Sequence, residues 1–208
     1  MPEAVQIDDP AGPILFERTV HTDERGAFVE DFHEERYRAL GFEARFVQTN
    51  RSSSRCGVLR GLHFQNPGAQ GKLVSVTRGT VFDVAVDIRV GSPTFGHWFG
   101  VELSGENGLQ LWVPPDFAHG FVALSDQADL LYHCTATYDA GAEHTLVWND
   151  PSLAVDWPLD APVLSPKDRE GLTLEELAAT GQLPEWEDSQ RADRVVAWLA
   201  SLDAATGG

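Results

Sequence analysis

The segment Arg60-Gly61-Leu62-His63-Phe64-Gln65 joins a guanidinium, suited to anionic oxygens, to an imidazole able to accept a proton. It lies in a stretch from Ala44 to Phe82 without Asp or Glu, in a chain with 32 such acids among 208 residues. The same stretch carries Arg45, Arg51, Arg55, Arg60, Lys72 and Arg78. A chain of formal net charge −17 that clears one region of acids is arranged to hold an anion there. A basic strand face matched to acids elsewhere is the structural alternative. Strand alternation puts Arg60 and His63 on opposite faces, so a bend near Gly61 is needed for both to serve one site. Without a carboxylate partner, His63 is expected to stay neutral, which suits general-base work, although a strand histidine is more often structural.

Two further segments carry reactive groups. In Pro114-Pro115-Asp116-Phe117-Ala118-His119-Gly120-Phe121 a rigid proline turn delivers His119 just before a strand. In Leu130-Leu131-Tyr132-His133-Cys134-Thr135-Ala136-Thr137-Tyr138, Tyr132 shares a face with Leu130 and Cys134. A buried phenol there is a structural hydrogen-bonder or, opposite a base, a proton donor. Tyr138 falls where the pattern ends and could stack on a flat ligand at a rim. Leu164-Ser165-Pro166-Lys167-Asp168-Arg169 reads as a solvated turn. His63 and His119 in a small β-barrel invite a metal hypothesis of the cupin type. That motif, however, uses two histidines one residue apart and then a Glu, whereas Gln65 follows His63 here. No metal ligand set is assigned.

The elements that would position these groups are strands. Val81 to Ile88 alternates, with Phe82, Val84, Val86 and Ile88 on one face and Asp83, Ala85 and Asp87 on the other. Leu73 to Thr77, Leu109 to Val113, Phe121 to Leu124 and Leu130 to Thr137 extend the series. Turn signals such as Asn66-Pro67-Gly68, Gly91-Ser92-Pro93 and Ser104-Gly105-Glu106-Asn107-Gly108 separate them. Short strands with no helices between them predict an antiparallel sandwich or barrel. Helices belong at the ends: a short one within Asp31 to Leu40, one opened by the capping box Thr173-Leu174-Glu175-Glu176 and stopped at Gly181, and a C-terminal stripe of Val195, Trp198, Leu199 and Leu202.

A length of 208 residues reads as one domain, 1–208, with its core over about 16–160 and a helical extension over about 161–208. The acidic balance argues against binding a nucleic-acid polymer, and no run is long enough to span a membrane. Cys56 and Cys134 form no metal or redox motif, and the N-terminus lacks a basic start and an apolar run. A cytoplasmic protein is expected.

Taken in order, the motifs resemble those of the dTDP-4-dehydrorhamnose 3,5-epimerase family, from about Phe16 to Glu187. The signposts are Asp23-Glu24-Arg25-Gly26, Phe46-Val47-Gln48-Thr49-Asn50, Gly57-Val58-Leu59-Arg60-Gly61-Leu62-His63-Phe64-Gln65 and Gln70-Gly71-Lys72-Leu73-Val74. Phe117-Ala118-His119-Gly120-Phe121, Trp148-Asn149-Asp150-Pro151 and Leu164-Ser165-Pro166-Lys167-Asp168 follow. The resemblance implies an all-β cupin double-stranded β-helix, or jelly roll, with short peripheral helices, mainly C-terminal. It implies epimerisation of a dTDP-4-keto-6-deoxyhexose at C3, C5 or both, in dTDP-rhamnose or related deoxysugar biosynthesis, with no cofactor and in a homodimer. By the same resemblance His63 is the base, Asp168 its partner, Tyr132 the acid on the far face of the sugar and Lys72 the charge beside the enolate. Arg25 and Arg60 carry over as phosphate and sugar contacts. Glu30, Gln48, Asn50, His119, Glu143 and Lys167 carry over as nucleotide or sugar contacts, and Tyr138 as the ring on thymine. A metal-dependent cupin isomerase or dioxygenase and a non-catalytic dTDP-sugar-binding cupin are the alternatives. The loop Asn66-Pro67-Gly68-Ala69 is one residue shorter than the family pattern, and no Pro follows Tyr138.

Overall fold

The structure, a computed structural model, describes residues 3–6 and 12–186. The predicted C-terminal stripe from Val195 to Leu202 lies outside the described residues. The early chain forms β1 (Glu3–Gln6), β2 (Ile14–Glu17), β3 (Val20–Asp23), β4 (Gly26–Val29) and α1 (Glu34–Ala39). The central chain forms β5 (Gln48–Arg55), β6 (Leu59–Gln65), β7 (Lys72–Arg78), β8 (Thr80–Asp87), β9 (Trp98–Ser104) and β10 (Leu109–Val113). Then come β11 (Phe117–Ala123), β12 (Gln127–Cys134), β13 (Glu143–Thr145), α2 (Pro166–Arg169) and α3 (Leu174–Ala179).

Two antiparallel sheets pack face to face, one in the order β1-β2-β10-β7-β12-β5 and the other β13-β6-β11-β8-β9. β3 and β4 form a separate two-stranded hairpin. Between the large sheets lie Val74, Val76, Leu111, Val113, Ala128 and Leu130 against Val81, Ala85, Leu103, Phe117, Phe121 and Ala123. Alternation on β8 therefore divides two cores. Val84, Val86 and the following Ile88 face outward under Leu146, Leu153, Leu174 and Leu177, which cover the back of the five-stranded sheet. A third cluster of Phe16, Tyr37, Phe42 and Leu73 seats α1 on the back of the six-stranded sheet.

The helix signals hold with small shifts. α1 occupies the middle of the predicted Asp31 to Leu40 segment. The Thr173 box is present in both directions, and Gly181 takes φ +67 just beyond the helix. β12 ends at Cys134, short of the expected Thr137, because Thr135 bonds instead to Gly71 in the neighbouring loop. No helix among the described residues is long and apolar enough to cross a membrane.

Candidate active site

The bend expected at Gly61 is a β-bulge. His119 of β11 pairs with His63 and Phe121 pairs with Arg60, so three steps on β6 match two on β11. The extra residue rotates Arg60 onto the face that His63 occupies. Gly61 has φ +122, and a Cβ on it would stand 2.6 Å from Gly120 Cα and 2.8 Å from the His119 carbonyl oxygen. Gly120 is confined in the same way, since its Cβ would meet the Arg60 carbonyl oxygen at 2.7 Å. Gly61, two residues before His63, and Gly120, directly after His119, are thus what lets these strands approach.

A cavity of about 290 Å³ opens at this end of the sandwich. The five-stranded sheet lines it with Arg60, His63, His119 and Phe121, and the six-stranded sheet with Ser52, Lys72 and Tyr132. Ser165, Lys167 and Asp168 complete the wall. A larger cleft of about 580 Å³ lies on the back of the six-stranded sheet, lined by His133, Phe32, Phe42 and Phe46 among others, and holds none of the candidate groups.

The Asp168 segment is not the solvated turn its composition suggested. Ser165 caps α2 by accepting the Asp168 backbone N–H at 3.1 Å, and Pro166 takes the first helical position. A bridge between Val58 and Val163 pins the segment beside β6. Asp168 is thereby turned inward, with its side chain 5% exposed, and bonds His63 Nε2 at 2.5 Å. His63 therefore has a carboxylate partner, supplied from 105 residues downstream. Burial works to raise the Asp168 pKa, but hydrogen bonds from His63, Ser165 and the Gly61 backbone outweigh it and hold the carboxyl below its ordinary range. An Nε2–H donated to Asp168 leaves the Nδ1 lone pair of His63 free to take a proton.

The facing groups differ in kind. Burial, aided by Cys134 and opposed by Arg60, raises the Tyr132 phenol above its ordinary value, so it keeps its proton at neutral pH. Burial likewise lowers Lys72 from the ordinary lysine value. His119 Nε2 stands 2.9 Å from Oδ1 of the fully buried Asp83. His63 and His119 are cross-strand partners, yet each is held by its own carboxylate. Among the described residues no group of three His, Cys, Asp or Glu side chains is placed to hold a metal ion.

Comparison with known proteins bears on the chemistry. Residues 9–176 match the profile of the dTDP-4-dehydrorhamnose 3,5-epimerase family. The dTDP-4-dehydrorhamnose 3,5-epimerase of Pseudomonas aeruginosa is 56% identical over 160 residues, covering 76% of this chain and 88% of that protein. This chain belongs to the dTDP-4-dehydrorhamnose 3,5-epimerase family. A Legionella pneumophila dTDP-6-deoxy-D-glucose-3,5-epimerase, solved with dTDP-4-keto-L-rhamnose, superposes with a TM-score of 0.85 at 49% identity, covering 90% of this chain and 100% of that one. A 3'-monoepimerase from Streptomyces bikiniensis, solved with dTDP-quinovose, gives 0.78 at 34% identity, covering 93% and 94%. The sandwich is accordingly the cupin jelly roll of these epimerases.

Of the residues that the epimerase resemblance singles out, His63, Lys72, Tyr132, Asp168, Arg60, His119 and Lys167 line the cavity. Gln48, Asn50, Tyr138 and Glu143 form a linked rim instead. Gln48 accepts the Tyr138 N–H at 2.9 Å and donates to Asn50 at 3.0 Å. The Tyr138 hydroxyl donates to Glu143 at 2.7 Å, and Lys167 pairs with Glu143 at 2.6 Å. Burial opposes these two bonds, which nonetheless hold the Glu143 carboxyl below its ordinary range. Tyr138 is 54% exposed, an open aromatic face at the mouth. Arg25 and Glu30 are not among the lining residues: Arg25 pairs with Asp23 at the hairpin tip, and Glu30 with Arg36.

Sequence reasoning missed Ser52, Phe121, Ser165 and Asp83. Of the six cations in the acid-free stretch, only Arg60 and Lys72 face the cavity. Arg51 and Arg55 are exposed on the outward side of β5, and Arg78 is exposed at the end of β7. The site also has carboxylates, but both Asp83 and Asp168 enter from outside that stretch and are engaged by imidazoles.

Proposed function

We propose that this protein epimerises a dTDP-4-keto-6-deoxyhexose at the carbons flanking its C4 ketone. The observation that carries the proposal is an imidazole held by a buried carboxylate on one sheet and a protonated phenol on the facing sheet, lining one cavity. His63 Nδ1 takes the proton as the C–H bond next to the ketone breaks, and the electron pair moves onto the ketone oxygen as an enolate. Lys72 stabilises that oxygen; a preorganised donor of this kind typically contributes about 3–4 kcal/mol. Tyr132 delivers its proton to the opposite face of the carbanion carbon, which inverts the centre. Imidazolium then loses, and phenolate regains, a proton through solvent. Arg60 binds diphosphate oxygens, with Nε held by Ser54 Oγ at 3.0 Å. Tyr138 stacks on the thymine.

Arg25, Glu30 and the 69%-exposed Phe28 on the β3–β4 hairpin and its exit find their use in a homodimer, where a second copy covers them. The test is incubation with dTDP-4-keto-6-deoxyglucose in heavy water, followed by NMR. Deuterium at both C3 and C5 marks the double epimerase, and at one carbon a single-centre enzyme. No deuterium at either carbon overturns the proposal.

A further inference from the structure

We propose that Ser52 is a substrate-binding residue that recognises the C2 hydroxyl of the hexose, an inference that rests on the epimerase reading above. β5 pairs with β12 so that Ser54, Ser52, Asn50 and Gln48 stand opposite Ala128, Leu130, Tyr132 and Cys134. Cross-strand partners share a face, so all four polar side chains of β5 point into the sandwich, beside an apolar strand. Three of them are occupied. Ser54 Oγ accepts from Arg60 at 3.0 Å, Asn50 Nδ2 contacts Cys134 Sγ at 3.7 Å, and Gln48 bonds both Asn50 and the Tyr138 backbone. Ser52 alone of these has no partner: its hydroxyl oxygen is buried and without a hydrogen bond among the described residues, while its side chain lines the cavity. A buried hydroxyl without a partner is costly, and one beside a substrate cavity is completed when ligand enters.

Its place in the strand identifies which ligand atom that is. Ser52 lies between Ser54, which holds the phosphate-binding Arg60, and Asn50, which sits opposite the acid Tyr132. In a sugar nucleotide the diphosphate is on C1 and the first reacting carbon is C3. The substituent between those two anchors is the hydroxyl on C2.

The test compares dTDP-4-keto-6-deoxyglucose with its 2-deoxy analogue in wild-type enzyme and in Ser52→Ala, measuring kcat/KM for C3 exchange and the affinity for dTDP. The wild type should prefer the 2-hydroxy substrate by about tenfold, and Ser52→Ala should lose that preference while binding dTDP as before. If the wild type exchanges neither sugar, the epimerase reading itself fails. An active wild type with an undiminished preference in Ser52→Ala overturns the Ser52 proposal alone. So does a matching loss of dTDP affinity, which would put the hydroxyl on the diphosphate. Because the two substrates are compared within one protein, a folding defect in the variant cannot imitate the expected result.

Discussion

Replacing Asp168 by Asn keeps the side chain's size and removes its charge from His63, the proposed base. In the wild type the bond to His63 Nε2 is 2.5 Å, with side-chain exposures of 26% for His63 and 5% for Asp168. A hydrogen bond to a charged group is worth about 1.5–3 kcal/mol, against about 0.5–1.5 for a neutral one. In the proposed reaction the difference matters most in the transition state, where the imidazole is gaining the substrate's proton. A loss of about 1–2 kcal/mol there, at about 1.4 kcal/mol per decade, lowers the rate by about 5- to 30-fold. The assay is the rate of deuterium entry at C3 and C5 under saturating substrate, with dTDP binding measured in parallel. The loss should fall on kcat, with KM and dTDP affinity close to wild type. Exchange at the wild-type rate, or a loss confined to KM, would refute the reasoning that Asp168 acts through the base.

Lys72→Met should reduce kcat by about 100- to 1,000-fold while leaving dTDP affinity intact, measured by the same exchange assay and by calorimetry. Gly61→Ala drives a Cβ into the Gly120 backbone at a φ of +122, so a stability loss of about 2–3 kcal/mol is expected, read as a fall in urea midpoint against wild type. Asp87, Asp150 and Asp168 all have folded pKa values below the ordinary 3.8. A depressed carboxylate stabilises the fold above its unfolded pKa and loses that contribution as pH falls through the folded one. The urea midpoint should therefore hold steady from neutral pH to about 5 and fall steeply below about 4.

Much of this was legible where local chemistry dictates structure. The alternation of Val81 to Ile88, the Thr173 capping box and the Gly61 bend each rest on a few adjacent residues, and each appears as read. The cavity was less legible because its walls meet through register and not through sequence proximity. Asp168 looked solvent-bound because nothing near it in sequence reveals that β6 runs alongside; the Ser165-Pro166 cap was the available signal that its first turn is fixed. Ser52 and Ser54 were lost inside Gln48 to Arg55, a polar strand whose inward side becomes clear only from its pairing with Leu130 and Tyr132. Asp83 was seen on the correct alternate face of β8, but its buried bond to His119 requires the β8–β11 pairing. The acid-free stretch covers strands that line the cavity, but alternation sends Arg51 and Arg55 outward, so fewer of its cations reach the site than their number suggests.

Proton transfer from two sides of the sugar is tested most directly by Tyr132→Phe in heavy water. Deuterium should keep entering at a carbon beside the ketone, because His63 and Asp168 are untouched, while the yield of inverted sugar falls sharply. Inversion at the wild-type yield would contradict it, as would exchange and inversion lost together in a variant that still binds dTDP.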